Sequence, residues 1–95
     1  MNPALNKHMF FYVYILRSIK SSRLYIGFTD DLRERLEKHN NFKVKSTKAF
    51  APYELIYFEG YRSIKLAAER EQKLKQFGQA YRRLKERLGL NLNAY

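Results

Sequence analysis

Residues 10–29 read FFYVYILRSIKSSRLYIGFT, and the fold turns on this stretch. Phe11, Val13 and Ile15 alternate with Tyr12, Tyr14 and Leu16, so both sides of the pleat are aromatic, branched or aliphatic. A strand apolar on both sides belongs in the middle of a sheet with cover on each face. The polar run 18–23 turns the chain. LYIGFT at 24–29 then resumes the alternation, with Leu24, Ile26 and Phe28 on one side and Tyr25, Gly27 and Thr29 on the other. The two runs predict an antiparallel hairpin, in which Tyr14 and Tyr25 fall on one side of the sheet.

Before the hairpin, residues 1–8 (MNPALNKH) carry no periodicity and are expected to form a flexible tail. After it, Asp31 is placed to cap a helix, with Glu34 completing the capping box and Leu32 and Leu36 forming the apolar stripe. That helix should end near residues 39–41. The following segment, 42–52, has Lys43, Lys45 and Lys48 and no acid, the signature of a basic loop. ELIYFE at 54–59 predicts a third strand. Ser63 is positioned to cap a second helix from Ile64 to about Phe77, with Gly78 as the left-handed residue that ends it. A third helix is expected from Gln79 to Leu88, and residues 90–95 as a short C-terminal tail. The order ββαβαα predicts an α+β fold, a three-stranded and mainly antiparallel sheet flanked by helices, in a single domain over 9–89.

Composition narrows the function classes. Among 95 residues, 19 are Lys or Arg and 9 are Asp or Glu, giving a formal charge of +10. Such a field concentrates polyanions, so nucleic acid is the leading partner and a membrane is not expected. The chain has no cysteine, which excludes thiolate zinc sites and cysteine nucleophiles and suits a reducing, cytoplasmic setting. Its longest apolar run, 9–16, is far shorter than the ~20 residues a membrane span needs, and no secretory leader is expected. The charge is concentrated in the lysine loop and in residues 62–95, which makes Lys43, Lys45, Lys48, Lys73, Arg82 and Arg83 candidate phosphate contacts.

Two placements are unexpected for a purely structural domain. Ile64, Ala67, Glu71 and Leu74 share one face of the second helix, so the carboxylate of Glu71 falls in an apolar stripe. It needs a partner there, an arginine or a hard cation. On the first helix, Arg35 and His39 are one turn apart beside Leu32 and Leu36, which puts a guanidinium and an imidazole against the sheet. A structural account would pair Glu71 with Arg35 and leave His39 at the surface.

The chain resembles the GIY-YIG nucleases. Tyr12-Val13-Tyr14 and Tyr25-Ile26-Gly27 look like the two halves of the signature, with its first glycine and isoleucine replaced by Tyr12 and Val13. YVYILRS, LYIGFTDDLRERLEKHN, ELIYFEGY and AAEREQKLK follow in the order and spacing of small stand-alone members. The resemblance implies that Tyr14 and Tyr25 are the signature tyrosines, that Gly27 permits close backbone approach and that Arg35 is the catalytic arginine. It places His39 at a position held by His or Tyr, and Glu71 at the ligand of a divalent metal, Mg2+ or Mn2+. An asparagine that some relatives place in the site has no assignable counterpart in the ending NLNAY at 91–95.

The implied reaction is metal-dependent hydrolysis of DNA phosphodiesters, of low or structure-selective activity, in the setting of repair or recombination. RNA stays open as a second substrate, and no motif marks a protein partner for specificity. The alternative is a binding module on the same fold that does not turn over; a ribosome-associated structural protein would explain the charge but not the ordered blocks. Activating water is the chemical difficulty. Tyr14 as general base would need its pKa lowered from about 10 to 7, roughly 4 kcal/mol of differential stabilisation. His39 is the candidate relay or direct base, and Tyr25 would orient water or phosphate. One carboxylate suits Mg2+, which keeps its waters, and predicts weak metal affinity without DNA.

Overall fold

The computed structural model describes residues 9–90, so the tails expected at 1–8 and 91–95 lie outside the described residues. Along the chain run β1 (Phe11–Ser18), β2 (Leu24–Thr29), α1 (Leu32–Asn40), a short 3₁₀ turn (Lys48–Phe50), β3 (Tyr53–Tyr61), α2 (Ile64–Lys75) and α3 (Gln79–Arg87). The expected ββαβαα order holds. The strands form one sheet in the order β2-β1-β3, and both pairings are antiparallel. β1 is central, as its two-sided apolar pattern requires.

Register places the signature residues. Tyr14 pairs with Gly27 on β2 and with Phe58 on β3, while Tyr25 pairs with Leu16. The β1–β3 ladder shifts between Ile15 and Leu16, a bulge that gives β3 one extra residue. One sheet face carries Val13, Ile15 and Ile26, buried with Ala67 and Leu74 of α2 and Leu84 of α3. On the other, Tyr14, Leu16, Ala51 and Tyr53 are buried beneath Leu32 and Leu36 of α1.

Capping chemistry fixes where the helices start. The Asp31 carboxylate accepts from the Glu34 backbone N–H at 3.1 Å, and Ser63 Oγ accepts from that of Leu66 at 3.2 Å. α1 is tied to β3 by a peptide-like clamp: Asn40 Nδ2 donates to the Tyr53 carbonyl at 3.0 Å and Asn40 Oδ1 accepts from the Tyr53 N–H at 2.7 Å.

Three local expectations are corrected. Phe77, not Gly78, takes the left-handed conformation after α2, at φ 55°. The turn begins one residue early; the Phe77 ring meets Tyr81 edge-on at 5.0 Å, and Gly78 serves as the cap of α3. Ile64 is 56% exposed and leaves the stripe, because α2 first buries a side chain a turn later, at Ala67. Leu90, counted above with the C-terminal tail, is 7% exposed. Gly89, at φ 74°, allows the Leu90 N–H to reach back to the Lys85 carbonyl at 2.8 Å and folds that side chain inward.

Candidate active site

The site is built where α1 crosses the tyrosine face of the sheet. Leu32, Arg35, Leu36 and His39 fall on one side of α1, so half of its inward stripe is polar. Only packing against partners can hold such a stripe, and the sheet supplies tyrosines. Tyr14 is 2% exposed, and its ring lies 6.3 Å from that of Tyr25; the Tyr25 ring lies 4.9 Å from the His39 imidazole. Gly27 makes this possible. A Cβ there would stand 2.5 Å from Tyr14 Cζ, closer than side chains tolerate, so only glycine lets the Tyr14 ring cross the neighbouring strand.

His39 is fully buried, contrary to a surface placement. Its Nε2 is 3.0 Å from the Tyr14 hydroxyl and its Nδ1 is 2.7 Å from Thr47 Oγ1. Thr47 is itself buried and donates to the Val44 carbonyl at 3.3 Å. With its one proton committed there, the threonine oxygen accepts from His39 Nδ1–H. The imidazole therefore presents a lone pair on Nε2 to the Tyr14 O–H. Burial first, and then the Arg35 charge, hold the His39 pKa down at about 4, so the ring is neutral at pH 7.

Tyr14 is shifted away from the lowered pKa that a general base would need. Desolvation pushes its pKa up to about 12, against the lowering effect of Arg35, whose guanidinium stands beside the hydroxyl. The same contact, strengthened by Tyr25, holds Arg35 above its ordinary value, so it is always cationic. Arg35 Nε is buried and has no hydrogen-bond partner among the described residues. A buried guanidinium N–H without an acceptor is uncommon and costs stability.

Glu71 stands apart from the Arg35 pairing that a structural account would give it. Its side chain is 14% exposed and pairs with Lys75 one turn on, at 3.3 Å; its charge still raises the Tyr14 pKa. No group of three or more metal-ligating side chains occurs among the described residues. One half-buried carboxylate fits a hard, water-rich cation such as Mg2+, with the protein giving a single ligand, and does not fit a soft metal.

The phosphate-contact candidates divide. Lys43, Lys45 and Lys48 are exposed on the loop that Thr47 anchors against His39, so they flank the site. Lys73, Arg82 and Arg83 are exposed on α2 and α3, the helices packed on the opposite sheet face, and the structure does not bring them to the tyrosines. Thr47 is the contributor that sequence reasoning missed. Its loop has no periodicity, and the only available signal was a hydroxyl within a run of lysines.

Comparison with known proteins gives the class. The family model described as "GIY-YIG catalytic domain" matches residues 10–86, and the chain belongs to this family of nucleases. A UPF0213 protein of Clostridium perfringens is 39% identical over 66 residues, covering 68% of this chain and 70% of its own length. One from Staphylococcus saprophyticus is 36% identical over 74 residues, covering 77% and 85%. The solution NMR structure of a UPF0213 protein from Bacillus halodurans is 33% identical and covers 84% of this chain and 82% of its own, with a TM-score of 0.49.

Proposed function

We propose that the protein is a divalent-metal-dependent endonuclease acting on DNA. The observation that carries this is Arg35: a permanent cation with a buried, unpartnered Nε–H, held against Tyr14 on the family's signature strand. A phosphodiester oxygen is the acceptor such a donor lacks. Charge developing on the phosphoryl group would be offset by this fixed cation. A bound Mg2+ would polarise the scissile phosphate, with Glu71 as its protein ligand.

The hydrogen-bond directions support Tyr14 and His39 acting as a pair. A phenol whose pKa is raised to about 12 does not serve as a resting phenolate. It can take a proton from water only as its own proton leaves, and His39 Nε2 is the lone pair that receives it. Arg35 and the bound phosphate shape the cost of that transfer. Tyr25, whose ring meets His39 edge-on beside Tyr14, orients water or phosphate. Lys43, Lys45 and Lys48 hold the flanking backbone.

The test is nicking of supercoiled, branched and single-stranded DNA in Mg2+ or Mn2+. Wild type should cut, and Glu71→Ala and Arg35→Ala should each abolish cutting. Activity surviving both would mark a contaminant. Binding without any cutting, unchanged in Glu71→Ala, would establish the binding-module alternative.

A further inference from the structure

α1 and the loop after it cover only part of the tyrosine face. Toward the start of β1 the same face is open: Phe58 is 52% exposed, and Gly60 and Arg62 are exposed beside it. The rings there form a connected shelf. Tyr12 meets Phe58 with centroids 5.9 Å apart at 73°, and Phe10 meets Tyr12 at 6.3 Å and 40°. The Arg62 guanidinium lies 5.5 Å from the centre of the Phe10 ring.

Register makes this shelf continuous with the site, because Phe58 is the direct β3 partner of Tyr14 and Tyr12 lies on the same side of β1 two residues earlier. Tyr12 also occupies the position of the signature's first glycine, so the ring that links Phe10 to Phe58 is one the signature lacks. Charge is polarised across it. Beyond Tyr12's partner Thr29 on β2 the chain continues into Asp30 and Asp31, whereas beyond its partner Gly60 on β3 it reaches Arg62. A phosphate is thereby favoured on the β3 side.

We propose that the Phe10–Tyr12–Phe58 shelf stacks an unpaired base of single-stranded DNA, with Arg62 on the adjoining phosphate, and so selects opened strands for the neighbouring site. The assignment rests on the nuclease reading above. Open aromatic rings bordered by cations bind bases through their π faces with little regard to sequence. A base inside a duplex cannot present that face, so the shelf discriminates between single and double strands.

The chain has no tryptophan, so Phe58→Trp provides the only indole. With EDTA present to prevent cutting, a single-stranded oligonucleotide should quench its fluorescence and the matching duplex should not. Phe58→Ala should weaken single-strand binding about tenfold or more and leave duplex affinity unchanged. Arg62→Ala, a surface change that leaves the rings in place, should weaken it by a smaller factor and flatten its salt dependence. Equal quenching by duplex, or single-strand affinity unchanged in Phe58→Ala, overturns the shelf. Indole quenching that grows with protein concentration without DNA, alongside a doubled sedimentation mass, also overturns it by assigning the surface to a second copy. Quenching by single strands without cleavage in Mg2+ would remove the enzyme and keep the shelf; cleavage with unchanged Phe58→Ala affinity would do the reverse.

Discussion

β1 sends Val13 and Ile15 to one face of the sheet and Tyr14 and Leu16 to the other, and all four are 2% exposed or less. Their surroundings have nothing else in common. Val13 and Ile15 pack mainly against aliphatic and aromatic neighbours from α2, α3 and the flanking strands, a packing that dispersion and desolvation favour without any demand for direction. The charged group beside them, Glu59 opposite Val13, is taken up by Tyr57, Tyr61 and Arg70. Tyr14 meets a hydrogen-bonded histidine, a cation and a glycine backbone, each fixed in orientation. The lesson is that equal burial hides opposite roles: one face stabilises the fold, and the other spends part of that stability on holding polar groups where water cannot reach them.

The largest effects should separate the faces. Ile15→Ala should cost about 2–5 kcal/mol in urea denaturation, with the cutting by the remaining folded protein little changed. Arg35→Ala should do the converse. It removes a buried N–H without a partner together with the guanidinium's hydrogen bonds to Tyr14 and Tyr25, so stability should change little, while nicking should be abolished. Equal loss of stability in both would erase the distinction.

Acid sharpens the contrast next. The folded pKa of His39, about 4, lies below its ordinary 6.5, so between those values the unfolded chain binds more protons. Stability contributed by the neutral ring is therefore complete above pH 6.5 and is lost as pH falls through 4. The loss should be on the order of 3 kcal/mol, read from denaturation midpoints at pH 7 and pH 4. His39→Gln should flatten that dependence, and Ile15→Ala should leave it intact.

A smaller change should follow at Thr47. Thr47→Val keeps the shape but removes the acceptor for His39 Nδ1–H, at a cost of about 1–3 kcal/mol. It should also shift the pH profile of cutting, and Thr47→Ser should restore that profile, which a purely structural defect would not show. The smallest effect concerns the two basic surfaces. Replacing Lys43, Lys45 and Lys48 by Gln should lower the salt slope of DNA binding by up to about 0.9 per lysine. Replacing Arg82 and Arg83, on the opposite side of the sheet, should leave cutting unchanged.

Most of the fold was legible because its signals are local. Alternation identified β1 as central, and Asp31 and Ser63 marked helix starts through their own backbone-capping chemistry. Tyr14, Tyr25, Arg35 and His39 were legible as a group since strand pairing and a single helical turn bring them together. What escaped depends on packing that periodicity does not encode. The left-handed turn moved from Gly78 to Phe77 because a ring contact with Tyr81 competes with the conformational preference of glycine. Thr47 reaches His39 through a loop whose path no repeat predicts. The raised pKa of Tyr14 follows from burial, whereas the neighbouring Arg35 charge, visible in sequence, argues for the opposite direction.

The clamp between Asn40 and Tyr53 gives the tyrosine face a clock. The Tyr53 amide hydrogen is bound by a side chain at the end of α1, not by a strand. It becomes available to solvent when that end of the helix lifts, even while the sheet stays whole. Deuterium uptake at this one amide therefore counts the openings of the site, independently of the slower events that unfold the aliphatic face.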